Sequence, residues 1–270
     1  MFRKFLVTIL WNLYLTKKVK VIILGHQKSG TTVIAALLSR LSRLALSVDP
    51  LFMIDQGKAQ TALYIVNNPN LDAFDRLCRK YPKLFKRQLI KDPDYVFLYP
   101  MIKKYYKNTK FVFVVRDPRD MIRSICNRLN LSGDCKIKLP TQSDMRGGNK
   151  HWAFILSGKL PERNNIANKD LNYIEHLAHR WNIASQIYLN NSDDITLVKY
   201  EDFLENKEEY MIGLATKLGV SNKVNISEYV DVQYQGKGNN SVDLLDFFGE
   251  KNLSSINAIC GKYMREFDYC

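Results

Sequence analysis

Short apolar runs alternate with longer stretches of helical period along the chain, and each run ends in charged or hydroxyl residues. Val19 to Leu24 is an apolar run rich in β-branched residues, interrupted only by Lys20, the pattern of a buried strand. A turn bounded by Gly25 and Gly30 follows, and Thr31 and Thr32 open an apolar helix over 33–41. Ser47-Val48-Asp49-Pro50 reads as a turn, and residues 56–85 as mainly helical with a break at Asn67–Asn70. Gln88–Ile90 predicts a second strand, Tyr95–Tyr106 a helix, and Lys110–Val115 a third strand. Met121, Ile122, Ile125 and Leu129 recur at helical spacing after Pro118. Residues 131–168 hold no period and read as an irregular insertion or lid. A helix over 170–189, a fourth strand at Ile195–Lys199, a helix ending near Gly219, a polar stretch over 231–250 and a closing helix from Leu253 to Phe267 complete the pattern. Strands alternating with helices predict an α/β fold of three layers, a central parallel sheet with helices on both faces. The predicted organisation is an N-terminal segment, 1–18, followed by a single domain, 19–270.

The polar clusters then acquire meaning. Open parallel sheets bind ligands beyond the carboxyl ends of their strands. Lys28, Lys91-Asp92, Arg116 and Tyr200 each lie just after a predicted strand. The sequence Gly25-His26-Gln27-Lys28-Ser29-Gly30-Thr31-Thr32 joins a strand to a helix N-terminus through a Gly-bounded loop. Converging backbone N–H groups, the helix dipole, a lysine and hydroxyls there suit a phosphate. In the Walker consensus the lysine directly follows the second Gly. Here Thr31 holds that position and the lysine lies inside the loop, at Lys28.

The stretch KSGTT after an apolar strand resembles the 5′-phosphosulfate loop of sulfotransferases that use 3′-phosphoadenosine 5′-phosphosulfate (PAPS). VVRDPRDMIRSI resembles the same family's 3′-phosphate motif, an Arg closing a strand and a Ser on the next helix, here Arg116 and Ser124. LVKYEDF, at 197–203, resembles the family's junction where a Tyr lies near adenine, which puts Tyr200 forward. Gly236-Lys237-Gly238 is similar to the loop that closes on the 3′-phosphate, although Gly236 stands where cytosolic members have Arg. The closing LSSINAICGKYMREFDY resembles the last helix of bacterial-type members. The resemblance implies a P-loop-like fold and transfer of a sulfuryl group from PAPS to a hydroxyl or amine. It implies cofactor contacts from Gln27, Lys28, Ser29, Gly30, Thr31, Thr32, Arg116, Ser124, Tyr200, Lys237 and Gly238, and no metal.

The acceptor's base is the open position. Cytosolic members carry His two residues after a Lys at the second strand's end, and many carbohydrate-acting members carry Glu just before that Lys. Here Pro93 and Ile90 stand at those places around Lys91. Asp92 is the expected base beside Lys91, and His26 is the second candidate. Lys28 is the expected stabiliser of the leaving oxygen. A P-loop kinase or NTPase, and a non-catalytic basic module that binds nucleotides or polyanions, are the rival readings.

Charge narrows the partners. The 270 residues carry 40 Lys+Arg against 27 Asp+Glu, a net charge of +13. That excess suits a phosphorylated donor and an anionic acceptor such as a glycan or a lipid. No zinc-finger spacing, RNP motif or basic heptad points to a specific nucleic acid. Five scattered cysteines support neither a disulfide framework nor a metal site and fit a cytoplasmic protein. Within 1–18, FLVTILWNLYL between basic residues is shorter than the roughly 20 residues of a spanning helix. A helix packed on the domain and an interfacial membrane contact through Trp11 and Tyr14 both remain open.

Overall fold

The structure, a computed structural model, describes residues 18–54, 64–65, 68–134, 139–148, 150–159, 170–232 and 242–270. Strand β1 (Val21–Gly25) is buried at every position and runs into helix α1 (Thr31–Ser42). Strand β2 (Leu46–Val48), helix α2 (Leu71–Lys80), strand β3 (Leu89–Lys91) and helix α3 (Tyr99–Tyr105) follow. Next come β4 (Lys110–Val115), α4 (Pro118–Leu129), α5 (Lys150–Leu156) and α6 (Tyr173–Leu189). The chain continues through β5 (Ile195–Lys199), α7 (Tyr200–Glu205), α8 (Lys207–Leu218) and α9 (Leu244–Glu266).

All strand pairs are parallel, in the order β2-β3-β1-β4-β5. The strand period of two splits the core into two layers. Val21 and Ile23 of β1, with Val112 and Val114 of β4, pack against Ile34, Leu37 and Leu38 of α1 and against α8. Ile22 and Leu24, with Phe111 and Phe113, face the opposite layer, built from α3, α4, α6 and α9. Each fully buried Val, Ile or Leu contributes about 1.5–3 kcal/mol, so β1 is a firmly anchored base for the loop that leaves it. The register pairs Ile23 with Lys91, Gly25 with Val114 and Val115 with Lys199. That alignment brings the carboxyl ends of β1, β3, β4 and β5 to one edge.

The observed elements depart from the pattern in three places. The expected turn at 47–50 overlaps β2, a three-residue edge strand paired only with β3. Such a strand is too short to show a period. The polar stretch before the closing helix is helical from Leu244 onward, and Gly249 (φ 68°) bends α9 near its start. The segment expected to be irregular contains α5, whose Phe154, Ile155 and Leu156 belong to the core. No described helix is long and apolar enough to cross a membrane. The N-terminal segment lies outside the described residues, except for Lys18.

Candidate active site

Gly25 turns the chain out of β1 with φ 154°, and a Cβ there would stand 2.6 Å from the Val114 carbonyl oxygen. Lys28 follows in the left-handed region, φ 67°, a conformation that is costly for a residue with a side chain. Gly30 begins α1 at φ 91° with no side-chain cap on the helix start. A Cβ on Gly30 would meet the Tyr200 ring at 2.2 Å, so the ring closes directly over the loop. Arg116, just beyond β4, donates from Nη1 to the Lys28 carbonyl (3.2 Å) and stands 5.0 Å from the Tyr200 ring centroid. The Arg116 carbonyl in turn accepts the Trp181 indole N–H (2.9 Å). Loop, arginine and tyrosine, three separate segments of the sequence, are thus fixed to one another.

These groups border one cleft of about 580 Å³ at the carboxyl edge of the sheet. Of the residues expected from sequence, Gln27, Lys28, Gly30, Thr31 and Thr32 border it, as do Lys91, Asp92, Arg116, Ser124 and Tyr200. Ser29 and His26, within the same loop, do not; both are buried. Lys237 and Gly238 lie outside the described residues. Among the described residues no cluster of His, Cys, Asp and Glu is arranged to hold a metal ion.

The electrostatics single out Lys28. Burial, then the neighbouring Arg128, Arg116 and Lys91, brings its pKa down to about 8. Cations crowd one another here, an arrangement that favours a polyanion. Arg128 lies one turn beyond Ser124 on α4 and borders the cleft, as does Lys207 at the start of α8, which is paired with Asp231. Neither was singled out from sequence. The four-residue step from Ser124 to Arg128 is a signal that could have found the arginine.

Both expected bases, Asp92 and His26, are buried. Asp92 is 2% exposed, and both its oxygens serve the backbone. One accepts the Asp94 N–H (3.1 Å) and the other the Leu51 N–H (3.1 Å). Its carboxyl caps the 3-10 turn Pro93–Val96 and ties it to the start of the segment after β2. Burial, then Asp94 and Asp49, pushes its pKa well above the carboxylate range, which favours a carboxyl that keeps its proton. His26 is 1% exposed, and burial, then Arg180, lowers its pKa to about 3. It is a neutral ring away from the cleft. Lys91, for its part, is held by both oxygens of Asp49 (2.8 and 3.1 Å).

A different pair borders the cleft. His151 of α5 places Nε2 at 3.1 Å from Asp94 Oδ2. The other Asp94 oxygen accepts Gln27 Nε2 (2.8 Å) and Arg180 Nη2 (3.2 Å). Burial alone would raise Asp94, but His151, Arg180 and Gln27 outweigh it and hold the group well below the ordinary carboxylate range. Neither His151 nor Arg180 stood out in the sequence, because 57 and 86 residues separate them from Asp94. His176, by contrast, is a packing residue whose Nδ1 lies 3.1 Å from the Leu156 carbonyl.

The sulfotransferase domain profile matches residues 18–235. Among solved structures, the chain is similar to a sulfotransferase from Mycobacterium avium, with 10% identity and a TM-score of 0.54, covering 93% of this chain and 77% of that one. It is also similar to a mouse sulfotransferase complexed with PAP, with 14% identity and a TM-score of 0.50, covering 94% and 86%. A sulfotransferase from Alicyclobacillus acidocaldarius is 17% identical with a TM-score of 0.48, over 91% and 96%. At these identities the likeness to the Mycobacterium avium and mouse structures is one of fold. A search of curated protein sequences finds no match.

Proposed function

The chain belongs to the sulfotransferase family, and from that premise we propose that it moves a sulfuryl group from PAPS to a hydroxyl or amine acceptor. The observation that carries the reading is the Gly-bounded loop with Lys28 crowded by Arg116, Arg128 and Lys91. In this scheme the backbone of residues 29–32 and the Thr31 and Thr32 hydroxyls hold the 5′-phosphate of the donor. Arg116 and Ser124 hold its 3′-phosphate, Arg through its planar fork of donors. Tyr200, whose ring covers Gly30, lies along the nucleotide. Such a transfer has a loose transition state, so catalysis is positioning and charge stabilisation. Lys28 stabilises the oxygen that departs with the nucleotide, and the scheme uses no metal.

For the acceptor we propose a glycan or a lipid-linked glycan. Phe52 and Trp152 border the cleft, as does Lys91, and offer apolar faces to a ring. The net charge of +13 favours an anionic one. A lipid-linked acceptor would also give residues 1–18 a membrane surface to lie on.

The test is selective loss of the 3′-phosphate contact. Arg116→Ala should weaken binding of adenosine 3′,5′-bisphosphate (PAP) by roughly 1.5–3 kcal/mol, the range for a hydrogen bond to a charged group. Because Arg116 also tethers the Lys28 carbonyl, a smaller loss should appear with adenosine 5′-monophosphate. Calorimetric titration with both nucleotides reads the difference. Equal losses would assign Arg116 to loop support alone.

A further inference from the structure

We propose that His151 is the general base for the acceptor, with Asp94 as the residue that positions it. The inference rests on the sulfuryl-transfer reading above. It moves the base from the end of β3, where Pro93 stands in place of a histidine, to helix α5.

The geometry carries it. His151 is 8% exposed and borders the same cleft as Lys28. Asp94 joins the two: one oxygen takes the imidazole Nε2 and the other takes the side chain of Gln27, the residue before Lys28. An ionised carboxylate only accepts, so the Nε2 proton is directed to Asp94 and Nδ1 keeps its lone pair. Nδ1 is buried and has no hydrogen-bond partner. A buried, unpartnered ring nitrogen is an uncommon state that an acceptor hydroxyl would relieve. Phe52 meets the imidazole edge-on, ring centroids 5.5 Å apart, and limits its rotation. The other carboxylates bordering the cleft are committed: Asp49 to Lys91, Asp231 to Lys207, and Asp92 to backbone N–H groups.

The step balances. The acceptor hydroxyl donates its proton to Nδ1 as its oxygen bonds to sulfur. The bond between sulfur and the 5′-phosphate oxygen breaks, and its electron pair leaves on that oxygen beside Lys28. The products are the sulfated acceptor, PAP and a protonated imidazole that Asp94 stabilises until the proton passes to solvent.

His151→Gln keeps an N–H able to reach Asp94 and removes the basic nitrogen. The probes are labelled PAPS with water or an alkyl glycoside, which retain their proton at neutral pH, and with an acidic phenol that is already ionised. Transfer to the protonated acceptors should fall about 10²–10⁴-fold, transfer to the phenolate less than tenfold, and PAP affinity should stay within threefold. Asp94→Asn should show the same acceptor dependence. Unchanged transfer to the protonated acceptors, or an equal loss with all three, would overturn the assignment. Failure of the unmutated protein to bind PAP or cleave PAPS would count against the sulfuryl-transfer reading itself, and is seen before any variant is made.

Discussion

Arg180→Ala is expected to destabilise the fold by about 3–5 kcal/mol, the cost of breaking a buried ion pair from one side. Arg180 is 0% exposed. It donates to Asp94 and to the Lys159 carbonyl (3.1 Å), and its guanidinium lies 4.3 Å from the Phe97 ring centroid. Burial, opposed by Asp94, brings its pKa down to about 10, so it stays charged at neutral pH. Removing it leaves the Asp94 charge with one cation fewer and opens a void between α6 and the turn after β3. Typical domains are stable by about 5–15 kcal/mol, so the loss is a large share. By comparison, Arg79→Ala, at an exposed pair with Asp75, should cost under about 1 kcal/mol. Urea unfolding of the two variants measures the contrast. A loss below about 1 kcal/mol for Arg180→Ala would mean that Asp94 is satisfied without it. Asp94 also sets an acid limit. Its folded pKa lies below the unfolded value, so its contribution is complete above the ordinary carboxylate range and is lost as pH falls through the folded value.

Lys28→Ala should reduce kcat by about 10²–10³-fold, the usual cost of deleting one stabiliser of a developing oxyanion. The fold should be nearly unaffected, because the side chain borders the cleft and not the core. PAP binding should weaken as well, since the charge acts on ground and transition states alike. The pH dependence gives a sharper reading. Before an anion binds, Lys28 titrates near 8; a bound anion favours the ammonium and raises that value. Affinity should therefore be full below about pH 8 and fall as pH rises from there toward the ordinary lysine value of ~10.4, with a proton taken up on binding. Calorimetry in buffers of different ionisation enthalpy counts that proton. Lys28→Arg should abolish the uptake, because arginine stays protonated throughout. Uptake that persists in Lys28→Arg would place the titrating group elsewhere.

Much of the framework was legible because it depends on local pattern. The run Val21–Gly25, the loop and α1 form one continuous signal, and KFVFVV at 110–115 is apolar enough to be read alone. Residues that border the cleft from strand ends, such as Lys28, Arg116 and Tyr200, followed from the rule for open sheets. The proposed base did not, for a physical reason. Whether a carboxylate is a base or a cap depends on which groups reach its oxygens. Leu51 N–H claims Asp92 from 41 residues away, and Arg180 claims Asp94 from 86. Two aspartates that look equivalent in sequence are thereby driven in opposite directions, one toward its proton and one away from it. His151 was obscured because Gly147-Gly148 and the polar residues before it hid the short helix that carries it.

In the proposed function the loop at Gly25–Thr32 holds a 3′-phosphorylated adenine nucleotide without metal. The decisive measurement is calorimetric titration of the unmutated protein with PAP in EDTA, and separately with ATP and magnesium. PAP should bind tightly and independently of EDTA, unaffected by a large excess of ATP and magnesium. Binding of ATP with magnesium, and none of PAP, would contradict it.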